Sequence, residues 1–134
     1  MTTIGIVVAE FNGEITFKMK EEAVRAAEED DAEIGEVISV PGAYDTPLAA
    51  KRLASRDEID CVAVLGAIIE GDTRHDRVIA NSTAKTLQEI SLETDTPVTL
   101  GITGPGMTAR EAQDRVEYGY QAAESALELA DGND

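Results

Sequence analysis

His75 is the only histidine in the chain, and so the only side chain whose ordinary pKa suits proton transfer near neutrality. It closes the segment Gly66-Ala67-Ile68-Ile69-Glu70-Gly71-Asp72-Thr73-Arg74-His75. Within it, Gly71-Asp72-Thr73 could present backbone N–H groups to an anion at the start of a helix. The Asp72 carboxylate opposes a phosphate there unless it turns away. A lone histidine is more often incidental than catalytic, and what raises this one is its place beside a possible anion loop. Phe11, in Glu10-Phe11-Asn12, sits between polar neighbours and outside any apolar stripe. Its ring is either a lid over the helix that follows or a surface that stacks on a flat heterocycle. Asp45 comes just before Thr46-Pro47 and has a plain structural use as a cap or dipole partner at a helix start. The same carboxylate could accept hydrogen bonds from a polyol. Arg115 follows Glu111 by four residues, the spacing of a surface ion pair on a helix. Gly104-Pro105-Gly106 reads first as a turn before a capped helix.

The elements that must position these residues alternate along the whole chain. Short apolar runs at Ile4–Ala9, Ile34–Val40, Cys61–Gly66 and Val98–Ile102 read as strands. Three of them are nearly continuous in apolar residues, as strands covered on both faces are. The first helix is expected from about Ile15 to Asp30, with Met19, Ala23, Ala26 and Ala27 on one face. A second starts where Thr46 can cap and Pro47 can take the first helical position. The third carries Ile79, Thr83, Leu87 and Ile90 at helical spacing. The fourth opens with the capping-box sequence Thr108-Ala109-Arg110-Glu111, and its stripe runs on through Val116, Tyr120, Ala123 and Leu127. Arg115 then falls about two turns into that helix. This order implies one α/β domain over residues 1–134, with a parallel sheet flanked by helices. Ligands of such sheets bind outside the carboxyl ends of the strands. Three unusual segments, Glu10-Phe11-Asn12, Pro41-Gly42-Ala43-Tyr44-Asp45 and Ala67 through His75, follow strands directly, so they are expected to share one rim.

With 27 acidic and 11 basic residues, the chain carries a formal charge of −16. That field repels duplex DNA and anionic membranes, so neither is an expected partner. It also suits a high-salt cytoplasm, where screening relaxes self-repulsion. The single cysteine, Cys61, lies in an apolar run and reads as a buried small hydrophobe, so no intramolecular disulfide is expected. With no Cys/His cluster, no zinc site is expected. No apolar run approaches a membrane span and no signal peptide is evident, which makes the cytoplasm the default location.

Five segments, read together and in order, resemble the lumazine synthases in their short form. They are Ala9-Glu10-Phe11-Asn12, Val40-Pro41-Gly42-Ala43-Tyr44-Asp45-Thr46-Pro47, Gly66 through Asp76, Leu100 through Thr108, and Arg115-Val116-Glu117-Tyr118-Gly119. The resemblance implies a flavodoxin-like three-layer αβα sandwich with a four-stranded parallel sheet. It also implies pentamers, or a shell built of them, with sites between neighbouring subunits. The implied reaction condenses 5-amino-6-(D-ribitylamino)uracil with L-3,4-dihydroxy-2-butanone 4-phosphate, giving 6,7-dimethyl-8-ribityllumazine, phosphate and water with no cofactor and no metal. On this resemblance Phe11 stacks on the uracil ring, while Ala43, Tyr44 and Asp45 hold the ribityl chain. Ala67, Ile68 and Ile69 line the pyrimidine pocket. Asp72 and Thr73 offer backbone N–H groups to the phosphate, His75 shuttles protons, and Arg115 grips the phosphate from the neighbouring subunit. Two positions depart from the pattern of longer members. Leu100 stands where many carry a ring that helps cover the uracil, and Ala123 stands where some carry a second cation. The chain also begins almost at its first strand.

Two other functions fit part of this residue set. One is a riboflavin synthase of the type related to this fold, which dismutates two lumazines. The other is a flavin-binding module without turnover, in which Arg115 and the anion loop would have no duty.

Overall fold

A computed structural model describes residues 1–71 and 75–132. Its centre is formed by the two most continuously apolar segments. In β1 (Thr3–Ala9) every residue after Thr3 is buried, and in β3 (Cys61–Ile69) every residue before Ile69. They lie side by side and parallel, Ile4 opposite Cys61 and Val8 opposite Leu65. β2 (Glu33–Val40) flanks β1, and β4 (Val98–Met107) flanks β3, giving the order β2-β1-β3-β4 with all pairs parallel. This is the flavodoxin-like winding. β2 alternates between exposed and half-buried residues because it is an edge.

Side chains alternate across the sheet, so each face has its own core. Ile4, Ile6, Val8, Cys61, Ala63 and Leu65 meet α1 (Gly13–Glu29) and α5 (Tyr118–Asp131). Val7, Val62 and Val64 meet α2 (Thr46–Ala54) and α3 (His75–Thr94). The layers are therefore helix, sheet, helix. The helices contribute many alanines (Ala23, Ala27, Ala50, Ala123 and Ala126), which let their backbones approach the strands. Cys61 is buried as expected, and burial pushes its thiol pKa up to about 12. No helix among the described residues is long and apolar enough to cross a membrane.

The helix expected over the last quarter of the chain is two helices. Thr108 does form the capping box: its hydroxyl accepts from the Glu111 amide, while the Glu111 carboxylate accepts from the Thr108 amide. Yet α4 (Ala109–Gln113) is one short segment, and α5 starts after a turn. Just after the break comes Gly119, where a Cβ would stand 2.1 Å from the Met19 carbonyl oxygen. Contact that close holds the start of α5 against α1. Arg115 lies in the joint between the two helices, not two turns inside one.

Strands β3 and β4 also run further than the apolar runs suggest. Ala67, Ile68 and Ile69 are the last residues of β3, not part of a loop. Gly104-Pro105-Gly106 is not a plain turn but a bulge in β4. Ala67 pairs with Thr103 and Ile69 with Met107, so Ile68 alone faces three residues. Gly104 and Gly106 take φ of 103° and 77°, a region open to glycine. At Gly104 a Cβ would also stand 2.2 Å from the Ile68 carbonyl oxygen.

Candidate active site

The carboxyl ends of all four strands are laced together by short hydrogen bonds. The amides of Glu10 and Phe11 donate to the carbonyl oxygens of Val40 (2.7 Å) and Pro41 (2.9 Å), joining the first loop to the second. Asn12, at φ 66° just before α1, donates from Nδ2 to the Ala67 carbonyl (2.9 Å) and so joins the first loop to β3. Asparagine is among the few residues that take this left-handed conformation readily. The Glu70 amide donates to the Met107 carbonyl (2.7 Å), and the Gly106 amide to the Asp76 carboxylate (3.0 Å). The three segments singled out by residue type thus share one rim.

On that rim lies a cleft of about 240 Å³, lined by Phe11, Asn12, Gly42 to Tyr44, Ala67 to Ile69, Gly71, His75, Asp76 and Ile79. Phe11 is 72% exposed, which argues against a lid packed on α1, and Tyr44 is 68% exposed. Two open rings over a floor of Ala67 and Ile68 make a slot suited to a flat heterocycle. His75 is the first residue of α3 and reaches the same cleft from the side. Ala43 is buried beneath it, held by the Thr46 hydroxyl, which donates to the Ala43 carbonyl (2.7 Å). Thr46 is thus the first residue of α2 and a hydroxyl donor, not its cap, and Pro47 takes the second helical position instead of the first.

Asp45 directly precedes α2, but its carboxylate turns back to accept from the Gly42 amide (3.0 Å). It stays exposed beside Tyr44, with lone pairs left for a hydroxylated chain. The ion pair that the spacing of Glu111 and Arg115 suggests does not form. The Thr108 amide and hydroxyl hold the Glu111 carboxyl below its usual range, and Arg115 Nη1 donates to the Glu111 main-chain carbonyl (3.0 Å). No carboxylate among the described residues lies within ion-pair distance of Arg115.

Of the residues singled out by sequence, Phe11, Ala43, Tyr44, Ala67, Ile68, Ile69 and His75 meet in the cleft, with Asp45 next to it. Leu100 and Arg115 do not. Leu100 is exposed in a separate groove of about 640 Å³ along β4, with Leu87, Val98, Tyr118 and Leu129. Asp72 and Thr73 lie outside the described residues. A further hollow of about 550 Å³ between α1 and α5 is ringed by Glu29, Asp30, Glu124, Glu128 and Asp131, a setting that repels anionic ligands. Residue type alone did not single out Asp76 or Ile79 as lining, whereas Gly42 falls in the Pro41–Asp45 segment expected on the rim. The one available signal was that Asp76 adjoins the sole histidine.

Comparison with known proteins identifies the family. The family model described as 6,7-dimethyl-8-ribityllumazine synthase matches residues 1–133. A protein of that name from Halobacterium salinarum is 59% identical over 129 residues, covering 96% of this chain and 97% of its own. One from Halorubrum lacusprofundi is 56% identical over 131 residues, covering 98% of each. One from Methanocaldococcus jannaschii is 44% identical over 129 residues, covering 96% of this chain and 92% of its own.

Proposed function

The chain belongs to the 6,7-dimethyl-8-ribityllumazine synthase family, enzymes of riboflavin biosynthesis, and on that footing we propose its reaction and the part each residue plays. It condenses 5-amino-6-(D-ribitylamino)uracil with L-3,4-dihydroxy-2-butanone 4-phosphate to give 6,7-dimethyl-8-ribityllumazine, phosphate and water. The observation that carries this reading is the single cleft that joins an exposed ring, an exposed carboxylate beside it and the only histidine. Phe11 stacks on the uracil, Ala67, Ile68 and Ile69 line its edge, and Ala43, Tyr44 and Asp45 hold the ribityl chain.

The amine of the uracil attacks the ketone and water leaves, forming a Schiff base. Phosphate is then eliminated, and ring closure loses a second water. Each step moves protons, and His75 at the start of α3 takes and returns them. Holding amine and ketone in reacting geometry supplies much of the rate, up to ~7–11 kcal/mol in the best intramolecular models. A hydrogen-bonded rim with an apolar floor suits that task, and the scheme draws on no cofactor.

The cleft is smaller than the usual ~300–1,000 Å³ of small-molecule sites, Leu100 lies in a separate groove, and Arg115 is not among the described residues that line the cleft. These facts support a site completed by a second copy, whose Arg115 grips the phosphate and whose Leu100 covers the uracil. The assembly proposed is a pentamer or a pentamer-based shell. Asp72 and Thr73 are proposed to offer backbone N–H groups to the same phosphate. The proposed location is the cytoplasm, and the charge of −16 supports a salt-rich one.

Incubating the protein with both substrates tests the reaction. Phosphate and lumazine fluorescence should appear in equal amounts. Riboflavin formed from lumazine alone would assign the related dismutation instead, and tight ligand binding without phosphate release would leave only a binding module.

A further inference from the structure

The connection from β3 to α3 is pinned at both ends by two adjacent residues of β4. Met107 takes the amide of Glu70 at its start, and Gly106 gives its amide to Asp76 at its end. Asp76 immediately follows His75 and is 8% exposed. Successive residues on a helix point about 100° apart, so the carboxylate can face inward to Gly106 while the imidazole stays exposed at the cleft. Burying a carboxylate costs stability unless it is well hydrogen-bonded. An acid in the first turn of a helix is favoured by the helix dipole, which offsets part of that cost.

We propose that Asp76 is a positioning residue: by clamping the first turn of α3 to the bulge of β4, it fixes His75 against the wall formed by Ile68 and Ile69. Gly104 meets Ile68 from the same bulge, so one element sets both the wall and the histidine. The acceptor, not the charge, performs this task. The proposal rests on the reaction assigned above. A displacement of about 1 Å can cost ~10²-fold in such a reaction, so the clamp has rate to lose.

The test compares four variants (Asp76→Ala, Asp76→Asn, His75→Ala and His75→Ala/Asp76→Ala) with the intact enzyme under saturating substrates. Asp76→Ala should lower kcat by about tenfold or more, with little change in either KM, while Asp76→Asn, which keeps the acceptor, should stay near the original rate. In a His75→Ala background, Asp76→Ala should cost almost nothing further, because it acts through the imidazole. Equal loss in the Asn and Ala variants would overturn the proposal, as would an undiminished rate in Asp76→Ala or losses that multiply with His75→Ala. If Asp76→Ala does not fold, Asp76→Glu replaces it. The clamp then requires Asn to be faster than Glu, and the reverse order rejects it. An inactive parent enzyme would sink the assigned reaction but not this test. Hydrogen exchange of the Gly106 amide should still quicken in Asp76→Ala or Asp76→Glu and stay slow in Asp76→Asn, and equal exchange in all of them would refute the clamp.

Discussion

Arg115 donates to the main-chain carbonyl of Glu111 and not to its carboxylate, which the Thr108 cap already occupies. No carboxylate among the described residues lies within ion-pair distance of Arg115, so its guanidinium charge is not neutralised by one of them. On the proposed function its partner is the phosphate of the second substrate. Arg115→Ala should therefore raise KM for the phosphate substrate much more than KM for the aminouracil, since a charge-assisted contact is lost. Its melting temperature should hardly move, because no ion pair is broken. A large stability loss with unchanged KM would make Arg115 a structural residue.

The placement of Arg115 outside the cleft leads to a mixing experiment. If each site takes its guanidinium from a neighbour, subunits lacking Arg115 can still supply Phe11 and His75. Arg115→Ala chains denatured and reassembled with Phe11→Ala/His75→Ala chains should recover activity that neither has alone. Activity no greater than the sum of the two would mean that Arg115 serves its own subunit or none.

How much of this was legible beforehand depended on the range of the interactions involved. The central strands follow from continuous apolar runs, and Phe11, Asp45 and His75 followed from the rule that ligands bind past the carboxyl ends of parallel strands. The break between α4 and α5 did not. Capping box and apolar stripe are local signals, and both continue through it. What accompanies it is Gly119 meeting the Met19 carbonyl, a contact between distant segments that no local signal carries. Likewise Gly104-Pro105-Gly106 carries the local signature of a turn, and only its pairing with β3 makes it a bulge. Asp76 escaped notice because its partner, Gly106, is 30 residues away.

His75→Ala should lower kcat modestly, by about 10²-fold or less, the usual range for general acid–base help. Proximity carries most of the rate on the proposed mechanism, and it survives the substitution. A steady-state loss near 10⁵-fold would overturn that division of labour.

Gly104→Ala tests the bulge as the back wall of the cleft. The added Cβ would meet the Ile68 carbonyl oxygen at 2.2 Å in a backbone conformation that suits glycine. Strain of about 1–3 kcal/mol is expected from the conformation alone. The variant should melt earlier and bind the aminouracil more weakly, because Ile68 must move. Stability and KM both at the parent value would show that the wall yields freely.

Cys61 offers an internal probe of what the acidic surface requires. It is fully buried, and its thiol is pushed up to about 12, chiefly by burial and then by the charges of Asp60, Asp131 and Asp30. At pH 8 only about one thiol in 10⁴ is then ionised, so a thiol reagent should label the folded chain very slowly and the unfolded chain at once. The sign of the linkage sets the working pH. A raised folded pKa leaves stability intact below the unfolded value near 8.5 and erodes it as pH climbs towards 12. An assay at pH 8 therefore reads opening of the fold without altering it. If screening is what makes a charge of −16 tolerable, added KCl should slow the labelling and raise the melting temperature together. Labelling that is indifferent to KCl up to molar concentration, or faster in it, would mean that the acidic surface is no adaptation to salt.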